Sequence, residues 1–244
     1  MCSSDLPYDR AFLQRMHERA LASATVVASV AGRLHAEARR VRPDALYLPN
    51  GVEYERFAAA DVQPVDDPDL AFLRAERPVL GYYGALAGWF DYDLVDAVAA
   101  RRPDWDIVLI GPMYDQSLLG QPMLRRPNVR WIGPRDYHTL PGYLRRFDVA
   151  CIPFRINAIT LATSPLKMYE YLAGGAPVIA TPMPECAAIP EVRIVSDAAS
   201  FADALVETRP LRQDQAFQAR LRRRAQDHTW TARVTAVIEH LAER

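Results

Sequence analysis

The chain carries 28 arginines and a single lysine. Lys167 stands in Ser164-Pro165-Leu166-Lys167-Met168-Tyr169-Glu170, a run that continues to Gly174-Gly175-Ala176-Pro177-Val178. Ser164 reads as a helix N-cap and Pro165 as the first helical residue. Lys167 then falls in the first turn, where the helix dipole disfavours a cation by roughly 0.3–1 kcal/mol. A bound anion would reverse that balance, and phosphate at a helix N-terminus is the usual candidate. Glu170 follows three residues later on the same helix face, so one ligand could meet both side chains. An intrahelical Lys–Glu pair worth about 0.2–0.5 kcal/mol is the simpler alternative.

Three further residues point at the same kind of site. Gly84, Gly111 and Gly133 each follow an apolar, strand-like run. In parallel sheets the ligand crevice lies beyond the carboxyl ends of the strands, and a glycine there lets a ligand approach the backbone. A plain turn explains each glycine alone; three aimed at one edge carry more weight.

The elements needed to position these residues are legible as an alternation. Strands are expected over 79–85, 105–110, 129–132, 149–154, 178–181 and 192–196. Helices are expected over 91–100, 143–147, 165–173, 201–207, 214–226 and 231–242. Strands alternating with helices predict an α/β fold with a doubly wound, parallel, Rossmann-like sheet. Before it lies a shorter piece: a helix over 8–22, a strand over 25–29, a helix over 31–41, and a strand over 46–48 entering the turn Pro49-Asn50-Gly51. Between them, 58–77 is polar, with Pro64, Pro68 and Asp61, Asp66, Asp67 and Asp69, and reads as a linker holding one short helix near 70–74.

Bulk composition excludes several classes. Half the residues are hydrophobic and the net charge is −1, which speaks against a nucleic-acid binder. The run Arg220-Leu221-Arg222-Arg223-Arg224 reads as a solvated helix face. Cys2, Cys151 and Cys186 have neither metal-ligand spacing nor a disulfide pattern, and the five histidines form no HxxxH pair. No metal site is expected. No apolar run reaches 18 residues, and no signal peptide and a cytoplasmic location are expected. Residues 1–6 match what the end of a sequencing-library adapter encodes, and are expected to be an assembly scar with the true protein continuing upstream.

Taken with Leu48-Pro49-Asn50-Gly51-Val52-Glu53 and Phe57, the segment 164–178 resembles the family 4 (group 1) glycosyltransferases of GT-B architecture, in which two Rossmann-like domains face across a cleft. Trp89-Phe90-Asp91 after Gly84 resembles their bacterial cell-surface polysaccharide branch, of the teichuronic-acid type. The resemblance implies the following domains: 1–57, a remnant of the N-terminal acceptor domain; 58–77, linker; 78–228, the domain that binds the nucleotide-sugar donor; 229–244, a crossover helix. It implies that the amides near Ser164, Pro165 and Leu166 and the Lys167 ammonium hold the donor diphosphate, Lys167 being the catalytic cation. Glu170 would hold the ribose hydroxyls. Gly84, Gly111 and Tyr137 would lie near the donor, with Arg155 a candidate second cation and Arg135 a surface residue.

Two departures from the family pattern stand out. The first glutamate, eight positions before Glu170, is Ala162, and the stretch Gly84-Ala85-Leu86-Ala87-Gly88-Trp89 lacks the usual basic pair. The expected activity is retaining hexosyl transfer to a glycan or lipid-linked acceptor, with no metal or other cofactor. Little turnover is expected from this chain alone, and peripheral membrane association belongs to the full-length protein. A non-catalytic nucleotide-sugar-binding domain and a GT-B sugar-nucleotide epimerase are the alternatives.

Overall fold

The computed structural model describes residues 9–243. The expected scar at 1–6 and the expected helix start at Tyr8 lie outside them. The first described piece comprises α1 (Arg10–Ser23), β1 (Ala28–Ser29), α2 (Gly32–Arg39), β2 (Leu46–Tyr47) and α3 (Tyr54–Ala58). β1 and β2 pair in parallel. Leu21, Ala38 and Ala45 form a small core of their own.

The main body follows the expected alternation. It runs β3 (Val79–Tyr83), α4 (Tyr92–Arg101), β4 (Asp106–Ile110), β5 (Val129–Trp131), α5 (Leu140–Leu144), β6 (Val149–Ile152), α6 (Leu166–Ala173), β7 (Val178–Ala180), α7 (Pro184–Ala187), β8 (Arg193–Ile194), α8 (Ala198–Thr208), α9 (Gln215–Gln226) and α10 (Trp230–Ala242). Six parallel strands order as β5-β4-β3-β6-β7-β8. Strand order reverses between β3 and β6, which makes that junction the topological switch point. β3, β4 and β6 are buried at every position. Helices cover both faces of such a sheet, so its strands read as unbroken apolar runs rather than alternating ones. Gly81 in β3 is forced by packing: a Cβ there would sit 2.2 Å from the Phe147 ring.

Two short helices, α3 and α7, were not expected. Both are too short to show a periodicity, and proline rather than a side-chain cap starts α7. α5 lies earlier than the expected 143–147, beginning just before Pro141.

The linker is pinned to the main body. Arg135, expected as a plain surface residue, clasps Asp67 at 2.8 Å and also reaches Asp69 and the Tyr143 hydroxyl. These contacts hold the Asp67 carboxyl down at about 2, with the Arg135 hydrogen bond the largest cause. Behind the linker, α10 returns to the first piece. Val52 N–H donates to the His228 carbonyl at 2.8 Å, and Trp230 N–H to the Val52 carbonyl at 3.3 Å. A Cβ on Gly51 would meet Trp230 at 2.9 Å, so the Asn50-Gly51 turn is shaped by this crossing. On α9, Arg220 and Arg223 are exposed as expected, with Leu221 and Ala225 buried on the other face.

Candidate functional site

α6 starts at the switch point. Ser164, expected as its N-cap, is not: Pro165 takes that position in extended geometry and no side chain caps the helix. Ser164 instead binds the first piece. Asn50 Nδ2 donates to the Ser164 carbonyl at 2.6 Å, and Asn50 N–H to the Ser164 hydroxyl at 3.4 Å. The cap is diverted because Asn50 competes for the group that would have made it. As a result, the first-turn amides of Leu166 and Lys167 have no acceptor among the described residues. Uncapped amides at the positive end of a helix dipole form an anion site.

Lys167 is the second residue of α6. Its Nζ lies 5.2 Å from the Tyr82 ring centroid and 4.9 Å from that of Phe154. It makes no hydrogen bond or ion pair to any described residue. Burial pulls its pKa down to about 8, against an opposing pull from Glu170. The lysine is therefore a cation held in an aromatic box with its three donors unspent.

Glu170 is 2 % exposed, one turn deeper. Burial raises its pKa, opposed by the Tyr137 and Tyr83 hydroxyls and by Lys167. Even so, Glu170 Oε1 and the Tyr83 hydroxyl each lack a hydrogen bond of good geometry. Unpaired polar atoms at this depth cost about 1–3 kcal/mol each. The two atoms lie on the Glu170 side of Lys167, whose charge acts on the carboxylate.

Tyr82 and Tyr83 were missed by sequence reasoning. Successive strand residues face opposite sides; Tyr82 supports Lys167, and Tyr83 faces Glu170 and stacks edge-on to Tyr171 at 4.7 Å. The signal available was two tyrosines in succession at the carboxyl end of a strand. Tyr137 lies beside Glu170. It opens a 3-10 turn (Tyr137–Thr139), is held neutral by burial and by the nearby Glu170, which raise its pKa, and packs edge-on against Phe57 at 5.9 Å.

The glycines are required by backbone conformation and, at Gly84 and Gly111, by packing as well. Gly84, Gly111 and Gly133 all have positive φ and lie at adjacent strand ends. A Cβ on Gly84 would sit 2.5 Å from Lys167 Cε, and one on Gly111 only 2.1 Å from the Gly84 carbonyl oxygen. The space they leave is filled by the lysine and by backbone. Gly84 thus seats Lys167, and Gly111 seats Gly84.

Arg155 does not join the site. Its guanidinium is exposed, pairs with Asp93 at 2.7 Å and lies 3.9 Å from Asp91 at the start of α4. The loop before α4 adds no cation, and Gly88 N–H donates to Asp115 at 3.0 Å. Among the described residues, Lys167 is the charged side chain lining the cleft of about 290 Å³ in front of α6. A larger groove of about 600 Å³ runs beneath the linker, past Arg145 and Arg212. Their guanidinia are spent on the carbonyls of Ala59 and Leu144 and, at the far end of α6, of Gly174 and Gly175. No group of three or more His, Cys, Asp or Glu side chains among the described residues is arranged to hold a metal. No helix among them is long and apolar enough to cross a membrane.

Known proteins share both sequence and fold with this chain. Residues 77–208, more than half of it, match the family model described as glycosyl transferases group 1. The protein named as the teichuronic acid biosynthesis glycosyltransferase TuaH of Bacillus subtilis is 36% identical over 137 residues, which are 55% of this chain and 34% of TuaH. A phosphatidyl-myo-inositol mannosyltransferase of Mycobacterium tuberculosis is 30% identical over 145 residues, 58% of this chain and 36% of its own length. The chain spans about a third of the length of these relatives. Among solved structures, Anabaena Alr3699/HepE in complex with UDP and glucose superposes with a TM-score of 0.70 at 17% identity, over 97% of this chain and 68% of that one. Sucrose-phosphate synthase from Thermosynechococcus elongatus gives 0.69 at 21% identity, over 100% and 64%. These likenesses place the fold in the GT-B glycosyltransferase type. By its sequence match and by the six-stranded parallel sheet that carries it, the chain belongs to the group 1 glycosyltransferases.

Proposed function

We propose that this chain is the donor-binding half of a retaining glycosyltransferase. It would take a hexosyl group from a nucleotide-diphosphate sugar and pass it to a cell-surface glycan or lipid-linked acceptor. The observation that carries the reading is a pair of polar groups at the switch point, the part-buried Lys167 ammonium, which makes no hydrogen bond or ion pair to a described residue, and the buried Glu170 Oε1, beside the uncapped start of α6. A nucleoside diphosphate supplies the complement of each. Its phosphates meet the amides of Leu166 and Lys167 and the ammonium, and its ribose hydroxyls meet the Glu170 carboxylate, near Tyr137.

As the sugar leaves, negative charge grows on the diphosphate. The amides and Lys167 are fixed before the reaction and stabilise that charge with little reorganisation. No step in this account calls on a metal or other cofactor. Residues up to 57 are read as the end of an acceptor domain, 58–77 as linker, 78–228 as the donor domain and 229–244 as the crossover helix. On this reading the chain alone turns over slowly. The complete protein works in the cytoplasm at the inner face of the plasma membrane.

Ala162 favours a second reading, a nucleotide-sugar-binding domain without catalysis. It lies on a 3-10 turn (Thr160–Ala162) beside the cleft and brings no carboxylate to it. Calorimetric titration of UDP, GDP, dTDP and ADP into the wild-type and Lys167→Ala proteins tests the site. Binding of one diphosphate that the variant loses is the expected result; equal affinity in both overturns the assignment of Lys167. Turnover by the chain with its upstream region restored, and not by the chain alone, separates the two readings.

A further inference from the structure

We infer that the sugar held in front of α6 carries a methyl-terminated substituent, as a 6-deoxyhexose or an N-acetylhexosamine does, and is not a fully hydroxylated hexose. The inference rests on the donor-binding reading above and adds the class of sugar. The uncapped amides and Lys167 fix where the diphosphate sits, so the sugar attached to it enters the adjoining cleft. Apart from Lys167 at the diphosphate end and the hydroxyls of Thr160, Thr163 and Ser164, the walls of that cleft are Ala85, Trp89, Phe154, Ile159, Pro165 and Leu166. Trp89 is held in place by its contact with Tyr114, ring centroids 5.4 Å apart, and by its carbonyl accepting from Arg155 N–H at 2.8 Å.

The hydroxyl groups along the cleft are already engaged. Thr160 Oγ1 donates to the Arg155 carbonyl at 2.6 Å and accepts from Asn157 N–H at 2.9 Å. Thr163 Oγ1 donates to the Ile159 carbonyl at 2.7 Å, and the Ser164 hydroxyl accepts from Asn50 N–H. No carboxylate lines the cleft among the described residues, and Ala162 supplies none. A sugar hydroxyl turned toward the apolar walls and away from Lys167 trades water for hydrocarbon and loses its hydrogen bonds. A methyl group in the same place gains burial against Trp89 and Ile159. One buried methyl is worth about fourfold in affinity, and a hydroxyl left without a partner costs at least about fivefold.

The test compares matched sugars on whichever diphosphate binds in the titration above: the parent hexose, its 6-deoxy form and its 2-N-acetyl form. Equilibrium binding to the whole chain is read as the ratio of each sugar nucleotide to the diphosphate alone. The expected result is that one methyl-bearing form binds about fivefold or more tighter than the parent, and which form does so identifies the substituent. Trp89→Ala and Ile159→Ser should each shrink that ratio toward one; Ile159 is exposed, so its variant is expected to fold. Equal or tighter binding of the parent hexose, or a preference that persists in both variants, overturns the inference and leaves the donor site standing. Failure of every diphosphate and every sugar nucleotide to bind overturns the donor site and the inference together.

Discussion

Replacing Lys167 with methionine should stabilise the unliganded protein and weaken donor binding at the same time. Methionine keeps much of the stem's volume and removes the charge. Depression of the lysine from 10.5 to about 8 corresponds at pH 7 to a penalty of about 3 kcal/mol for burying the cation. The rings of Tyr82 and Phe154 return about 0.5–1 kcal/mol each by cation–π attraction, which the variant forfeits. The net gain is about 1–2 kcal/mol, or about 2–8 °C in Tm for a chain of this size. Against that, the variant loses a charge-assisted contact worth about 1.5–3 kcal/mol, which is about 10- to 150-fold in diphosphate affinity. The pH dependence follows from the same group. The folded-state value lies below the unfolded one, so between about pH 8 and 10.5 the unfolded chain binds more protons and stability rises with pH; below about 8 the penalty is fully present. Donor affinity runs the other way, falling above about pH 8, because Lys167 must then take up a proton to pair with the diphosphate. Differential scanning calorimetry and calorimetric titration across pH 6.5–9.5, wild type minus variant, isolate these slopes from other groups. A variant that melts lower and binds diphosphate as well as the wild type would refute the reasoning, since it would make Lys167 a structural residue.

Two further substitutions probe how the site is seated. Gly111→Ala places a Cβ 2.1 Å from the Gly84 carbonyl at a φ of 137°, so it should cost about 2–3 kcal/mol or more and displace Lys167 with Gly84; urea denaturation showing less than about 1 kcal/mol would remove Gly111 from the chain of support. Glu185 accepts from Gly32 N–H at 2.7 Å and from the Tyr47 hydroxyl, tying the start of α2 to α7. Glu185→Ala should therefore raise amide exchange in residues 28–47 and leave β3 to β6 protected, whereas unchanged exchange in 28–47 would show that the α10 crossing alone holds the first piece.

Much of the fold was legible in the sequence because a parallel sheet covered on both faces writes its strands as apolar runs, and helices between them have their own period. The order of those strands follows from the alternation only through the rules of connection. What escaped was short: α3 and α7, where too few residues exist to show a repeat. Lys167 and Glu170 were legible because a three-residue spacing on a helix is fixed by geometry. Tyr83, Phe154 and the role of Asn50 were not, since they lie in other elements and their meeting with α6 depends on how the layers pack.

The sequence by itself determined that a lone lysine and a glutamate share one face at the start of a helix, in an alternating α/β chain, with glycines at the strand ends. Tertiary structure decided what surrounds those residues. It diverted the Ser164 cap to Asn50, paired Arg155 with Asp93 and Asp91, and filled the space beside Gly84 with Lys167 itself. The physical reason is that hydrogen-bond satisfaction is settled among all groups that fold together. Whether a polar atom is spent or free depends on neighbours distant in sequence, as Asn50 is from Ser164, 114 residues away, and only the folded chain brings them into range.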